Sequence, residues 1–235
     1  MRCQAAFRRV RKRAFGRNLT GDARMAKTAK SKGEATWVNI RRSGIKLIAR
    51  YGYEAMNLRQ LAVEAGLRPG SLYNYFQSKE EFLFRILRDI LEEILADFDR
   101  TVGPVATSPV NRLMSFVEFH IRWHTERRLE AFIGFMEMRG LGKPRYLEYV
   151  ALRKRYEDHV TDILKQGVKT GQFSIRDPRV TAFAIIAMLT GTCQWYRRNG
   201  RLAQAELIDI YKDMVRKITG PAREAPRRPA RASRS

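Results

Sequence analysis

Sulfur chemistry has little to work with in this chain. Two cysteines, Cys3 and Cys193, offer no disulfide framework, and a reducing, cytosolic setting is the expectation that follows. Histidine is nearly as scarce: His120 and His124 lie four apart, but no third ligand is spaced with them, so no metal centre is expected. Nowhere does an apolar run approach the ~20 residues that cross a bilayer. The basic start, with Arg11-Lys12-Arg13 and Gly21-Asp22, has no uninterrupted apolar stretch of signal-peptide length. Neither secretion nor a membrane partner is expected. No grouping of nucleophile, base and orienting residue stands out, so the chain does not read as an enzyme, and it shows no cofactor motif.

Acidic residues are the other shortage. Lys and Arg number 46 against 24 Asp and Glu, giving a formal charge of +22, far from the mixed surface of an ordinary enzyme. Residues 1–36 hold 11 basic and 2 acidic residues, and residues 221–235 hold 5 and 1, so both ends are basic arms. Such a field attracts polyanions and predicts salt-dependent binding to nucleic acid, since each neutralised phosphate releases counterions. Met25 stands before a short polar lead, so residues 1–24 read either as an upstream extension or as a basic arm that follows a phosphate backbone.

What the chain has in quantity is apolar residues at helical spacing. Trp37, Ile40, Ile45, Leu47 and Ile48 form a first helix that stops at Tyr51-Gly52-Tyr53. Asn57, three residues before Gln60, caps a second short helix with Leu58, Leu61 and Ala62. Gly66 permits a tight turn, Leu67 plugs the core beneath it, and Pro69 fits the first turn of a third helix reaching Phe76. Ser78 and Glu81 form a capping box for a long amphipathic helix through Phe98. Ser108-Pro109 and Asp177-Pro178 open two further helices, while Gly140, Gly171 and Gly220 punctuate the rest. The spacing predicts an all-α fold of about nine helices. A three-helix unit occupies 37–83 and a larger helical domain 84–220, with disordered basic segments at 1–36 and 221–235.

Two short helices joined by a glycine turn within a three-helix unit meet the physical requirements of a helix-turn-helix. A more specific signal is Gly66-Leu67-Arg68-Pro69-Gly70-Ser71-Leu72-Tyr73-Asn74-Tyr75-Phe76, followed by Ser78-Lys79-Glu80-Glu81-Phe82-Leu83. This resembles the recognition region of the TetR family of bacterial regulators. The resemblance implies a dimer that binds double-stranded operator DNA and a C-terminal domain that senses a small molecule. It also implies roles for residues. Arg59 matches a DNA-contacting position near the start of the second helix, and Ser71 and Tyr73 match hydroxyl-bearing positions of the recognition helix. The Asn74 carboxamide suits either adenine or the backbone. Lys79 matches a lysine that holds a phosphate at the head of the fourth helix. Gly70 departs from the proline or threonine common nearby in some members. Phe76, Leu61, Ala62, Leu67 and Leu72 read as core.

In the larger domain, Val180, Phe183, Ala187, Gly191 and Trp195, with Leu207, Tyr211 and Met214, have the composition of a dimeric four-helix seam or of a monomer core. Phe116, Phe119, His120, Trp123, Phe132, Phe135, Met136 and Tyr156 are enough to line a ligand tunnel and also enough to fill one. A weaker similarity, carried by Arg153, Tyr156, Gly167, Gly171-Gln172-Phe173, Asp177-Pro178, Trp195-Tyr196 and Gly200-Arg201-Leu202, is to repressors that answer to acyl-coenzyme A thioesters in fatty-acid or steroid catabolism. It implies a medium or long acyl chain in the apolar pocket, with exposed cations such as Arg139, Arg153 or Arg197 near the phosphates. The competing reading is a nonspecific or architectural nucleic-acid-binding protein driven by its basic tails.

Overall fold

The computed structural model describes residues 19–103 and 108–220, with side-chain environments from Gly33 onward. The tail 221–235, Cys3 and the first half of the N-terminal arm lie outside the described residues.

The fold is all-α, with nine α-helices and two short 3-10 segments among the described residues. Helix α1 spans Leu19–Tyr51, beginning well before Trp37 and taking in half of the expected arm. From Asp22 to Lys32 this stretch is rich in Ala, Lys, Arg and Met, whose high helix propensity carries the helix back from its apolar part. After α2 (Leu58–Glu64) the expected third helix is a single 3-10 segment, Pro69–Asn74. Then come α3 (Lys79–Thr101), α4 (Pro109–Glu126), α5 (Arg128–Met136) with a 3-10 turn Glu137–Gly140, and α6 (Lys143–Lys169). The helix expected to open at Asp177-Pro178 is broken at Gly191 into α7 (Pro178–Thr190) and α8 (Thr192–Trp195), and α9 (Gln204–Thr219) closes the order.

The chain divides into two compact units, cut differently from the sequence expectation. One takes the described residues up to Gly44 with Asn57–Tyr75; the other takes Ile45–Met56 and the described chain from Phe76 onward. In the first unit the end of α2 is secured from α1: Asn39 Nδ2 donates to the Ala65 carbonyl at 2.9 Å and Ser43 Oγ to that of Glu64 at 3.2 Å. Those carbonyls are the ones a helix end leaves unpaired. Gly66, at φ +68°, completes the stop, and Leu67 N donates back to the Ala62 carbonyl at 2.8 Å.

In the second unit, α6 is the axis against which α3, α4 and α7 pack, and α9 lies on α4. Capping follows the sequence: Ser78, Ser108 and Asp177 side chains each accept from backbone N–H groups of the first turn. Gly167 marks a close approach. A Cβ there would stand 1.9 Å from the Phe173 ring, which is buried beneath the turn at Gly171. That turn bonds the N–H groups of Gln172 and Phe173 to the Gly167 carbonyl.

Candidate functional site

Two surfaces carry the chemistry, one in each unit. In the first, Asn57 Oδ1 accepts from Arg59 N at 2.8 Å, fixing the start of α2 and leaving the Arg59 guanidinium in solvent. Leu61, Ala62 and Leu72 are buried and hold α2 and the 3-10 segment down, as expected, while Leu67 is half-buried. The 3-10 geometry has a consequence for the reading face. Side chains at i and i+3 eclipse in such a helix, so Ser71 and Asn74 share one edge and Gly70 and Tyr73 another. Tyr73 is 60% exposed, Asn74 is exposed and Ser71 half-buried. A tyrosine so uncovered offers its ring and hydroxyl outward rather than to a core.

Lys79, in the second unit, is already engaged. Its ammonium donates to the Glu54 carbonyl at 2.7 Å and lies 4.7 Å from the centre of the Tyr53 ring. The cation thus closes the turn after α1, with N–H groups left over for an anion. Phe76 is buried and packs against Phe82 with the rings tilted and their centres 4.8 Å apart, the core role expected of it.

The second site is a half-open pocket in the bundle. Its walls come from α3 (Ile90, Leu91, Ile94), α4 (His120, Trp123, His124), α5 (Ala131, Gly134, Phe135), α6 (Tyr149, Arg153, Tyr156) and α7 (Ile186, Thr190). Water centres could occupy about 70 Å³ of it. Of the ten residues expected to line a pocket, it brings together His120, Trp123, Phe135, Arg153 and Tyr156. Phe116 and Phe119 instead surround Phe98, with ring centres 6.2 and 5.9 Å away, and fill the core. Phe132, Met136 and Arg139 also lie outside the cavity lining; Met136 and Arg139 are exposed. A helical stripe of aromatics does not reveal which rings meet each other and which leave a gap, and here Phe98 occupies the expected space. Phe119 and Trp123 also border an open groove of about 390 Å³ lined by Asp97, Glu118 and Glu126 against Arg100 and Arg122. Its excess of carboxylates makes it a poor place for phosphates.

The cavity has a polar wall within its apolar lining. His120 Nδ1 lies 2.8 Å from the Tyr156 hydroxyl, and its Nε2 lies 3.1 Å from Thr190 Oγ1. His124 stacks on His120 at 3.8 Å and its Nδ1 is 2.8 Å from the His120 carbonyl. Burial pushes His120 well below the usual histidine range and His124 down to about 4, so both rings are neutral near pH 7. Burial likewise pushes the Tyr156 hydroxyl up and that of Tyr149 to about 12. Tyr149 donates to the Gly134 carbonyl at 2.8 Å, tying α6 to the segment that covers the cavity. Thr190 and His124 had no signal in the sequence beyond a hydroxyl in an apolar helix and an i, i+4 histidine pair.

The stripe proposed as a seam divides. Val180, Phe183, Ala187, Trp195 and Met214 are exposed, Gly191 is half-buried, and Leu207 and Tyr211 point into the subunit's own core. Among the described residues no group of acidic, histidine and cysteine side chains could hold a metal, and no helix is long and apolar enough to cross a membrane.

An outward face on a helix-turn-helix and a helical bundle with a pocket in it define the class of helix-turn-helix regulators with a helical second domain. Residues 40–86 match the family of bacterial regulatory proteins, tetR family, and residues 106–219 match the tetracyclin repressor-like C-terminal domain. A TetR-family transcriptional regulator named PfmR, from Thermus thermophilus, is 30% identical, with a TM-score of 0.68 over 75% of this chain and 96% of its own. This chain belongs to the TetR family of DNA-binding transcriptional regulators. The repressor KstR2 of Mycolicibacterium smegmatis is 26% identical over 174 residues, 72% of this chain and 83% of that protein. The crystal structure of AibR with isovaleryl coenzyme A and operator DNA is 26% identical, with a TM-score of 0.72 over 79% of this chain and 99% of its own.

Proposed function

We propose that this regulator is a homodimeric repressor that an acyl-coenzyme A thioester releases from its operator. The half-open pocket in the bundle carries this reading: apolar side chains from five helices line a space with one neutral polar wall and a single cation, Arg153, among its lining residues. The AibR structure supports it by analogy, since a coenzyme A thioester and an operator are both ligands of that protein. The space that water centres could occupy, about 70 Å³, is small, which favours a short acyl group over the medium or long chain that the resemblance implied. Arg153 and the exposed Arg139 are cations for the coenzyme's phosphates.

In the reading head, Arg59 and Tyr73 contact phosphate, Ser71 and Asn74 face base edges, and the remaining N–H groups of Lys79 hold a phosphate. The exposed stripe Val180, Phe183, Ala187, Trp195 and Met214 meets its counterpart across a two-fold axis, so that two heads reach two half-sites. Release requires that the effector bind the DNA-incompetent arrangement more tightly than the operator-bound one.

Calorimetry with acetyl- to octanoyl-coenzyme A and the matching free acids, paired with operator-release assays, tests the reading. Affinity is expected to rise by about 0.8 kcal/mol per buried methylene until the cavity is full, and then to fall. Absence of binding by every thioester, or equal affinity for free and operator-bound protein, overturns it. The excess of basic residues favours one other reading, nonspecific nucleic-acid binding. Equal affinity for operator and scrambled DNA at fixed salt would select that reading instead.

A further inference from the structure

The polar wall of the cavity can be counted proton by proton. His124 Nδ1 faces a carbonyl oxygen, which only accepts, so this nitrogen carries the proton of the neutral ring. His124 Nε2 is therefore an acceptor, and it finds no hydrogen-bond partner among the described residues although His124 is 7% exposed and lines the cavity.

The neighbouring relay is short of acceptors rather than donors. Tyr156, His120 and Thr190 bring three protons, one on each hydroxyl and one on the neutral imidazole, and are joined by two links. If Tyr156 donates to His120 Nδ1, then Nε2–H donates to Thr190 and the Thr190 proton is left over. In the other tautomer the Tyr156 proton is left over. Either way one hydroxyl donor is unspent, as is the buried indole N–H of Trp123, another lining residue, while His124 Nε2 is an unspent acceptor, and all three groups are neutral. Arg153, the cation in the lining, already donates from Nε to Glu157 at 3.1 Å.

We infer that the effector's acyl group carries a hydroxyl, which donates to His124 Nε2 while an oxygen of the ligand accepts from the Tyr156–His120–Thr190 relay. A saturated acyl group supplies no donor at this wall and leaves the imidazole nitrogen unpaired once water is displaced. A carboxylate supplies none either, and sets a charge against two rings that burial keeps neutral. The inference rests on the thioester reading above and specifies its ligand.

The test is calorimetric titration of the full chain with butyryl-, 3-hydroxybutyryl- and 4-hydroxybutyryl-coenzyme A, three ligands of nearly equal size. One of the hydroxylated thioesters is expected to bind about tenfold more tightly than butyryl-coenzyme A, the yield of one to two well-made buried hydrogen bonds. In His124→Phe the ratio of the two affinities is expected to fall to about one. In His124→Gln, whose side-chain oxygen restores an acceptor, it is expected to recover to about threefold. Circular dichroism establishes that each variant is folded, and the wild-type ratio decides the matter even if His124→Phe is not. Equal binding of saturated and hydroxylated thioesters, or an unchanged ratio in a folded His124→Phe, overturns the hydroxyl and leaves the thioester reading standing. Failure of all three to bind overturns the hydroxyl, and failure of the whole acetyl- to octanoyl-coenzyme A series removes the thioester reading as well.

Discussion

The two units keep their polar groups in opposite places. In the unit holding α2 and the 3-10 segment, Arg59, Arg68, Tyr73 and Asn74 are exposed, and internal polar contacts serve mainly to close helix ends. In the bundle, His120, His124, Tyr156 and Thr190 are withdrawn from solvent into a hydrogen-bonded cluster. Presenting side chains to a polyanion costs a fold little, because the groups remain hydrated until the partner arrives. Keeping imidazoles and hydroxyls inside a bundle is expensive unless they bond to one another. On the proposed reading, function in the head therefore separates from stability, whereas in the bundle the same residues would bear both.

The largest expected effect breaks the independence of the head. Phe183 is 40% exposed on the single chain, so a charge there leaves the subunit fold intact. Across a two-fold seam, however, Phe183→Glu places two carboxylates in an apolar contact. Sedimentation at micromolar concentration is expected to show monomer, and operator affinity to drop by about 10²–10⁴ as two-headed binding is lost. An unchanged dimer population would move the seam elsewhere.

Acid should next separate the units. Histidines occur only at 120, 124 and 159, all in the bundle. Burial depresses the pKa of His120 and His124, so their contribution to stability is fully present above the unfolded value of about 6.5. As pH falls below that value the unfolded chain takes up protons first. Stability is then lost at about 1.4 kcal/mol per pH unit for each ring until its folded pKa is reached, about 4 for His124. Urea unfolding between pH 7.5 and 4.5 measures this. His124→Phe is expected to flatten the slope; the same slope in wild type and variant would show that His124 is not the group being titrated.

A packing change tests the bundle at its tightest point. Gly167→Ala sets a methyl 1.9 Å from the Phe173 ring, where only movement of a buried aromatic relieves it. Overpacking of this kind costs roughly 1–3 kcal/mol, and Phe173→Leu added to it is expected to return part of that loss in the urea midpoint. A neutral Gly167→Ala would mean that the turn at Gly171 moves freely.

This contrast also governs what could be read in advance. Caps at Asn57, Ser78, Ser108 and Asp177, the Gly66 stop and the buried faces of Leu61, Leu72 and Phe76 are set by neighbours a few residues away, and the sequence displays them. The third helix fell short of an α-helix because Pro69 and Gly70 supply a tight turn with little helix propensity behind it. In the cavity, the determinants are distant in the chain. His120 and Thr190 are 70 residues apart, and Phe98 decides that Phe116 and Phe119 become core rather than lining. The exposed and buried sides of α9, with Met214 outward and Leu207 and Tyr211 inward, likewise depend on where α4 lies. Helical periodicity finds a stripe but not its partner.

The smallest expected effect is also the most specific to the head. Asn74 is exposed at the end of the 3-10 segment, where it eclipses Ser71. Its carboxamide makes no structural bond among those seen in this unit, so Asn74→Ala should leave the melting temperature unchanged. If the side chain pairs with a base edge, its loss removes about 1 kcal/mol of discrimination, the lower end for a bidentate pair because the alanine site remains open to water. If it touches phosphate, operator and scrambled DNA weaken together. Affinities for both DNAs at one salt concentration distinguish these, because screening changes the phosphate contribution on each duplex alike. A ratio between the two DNAs that is the same in wild type and Asn74→Ala would assign Asn74 to the backbone and shift base reading to Ser71.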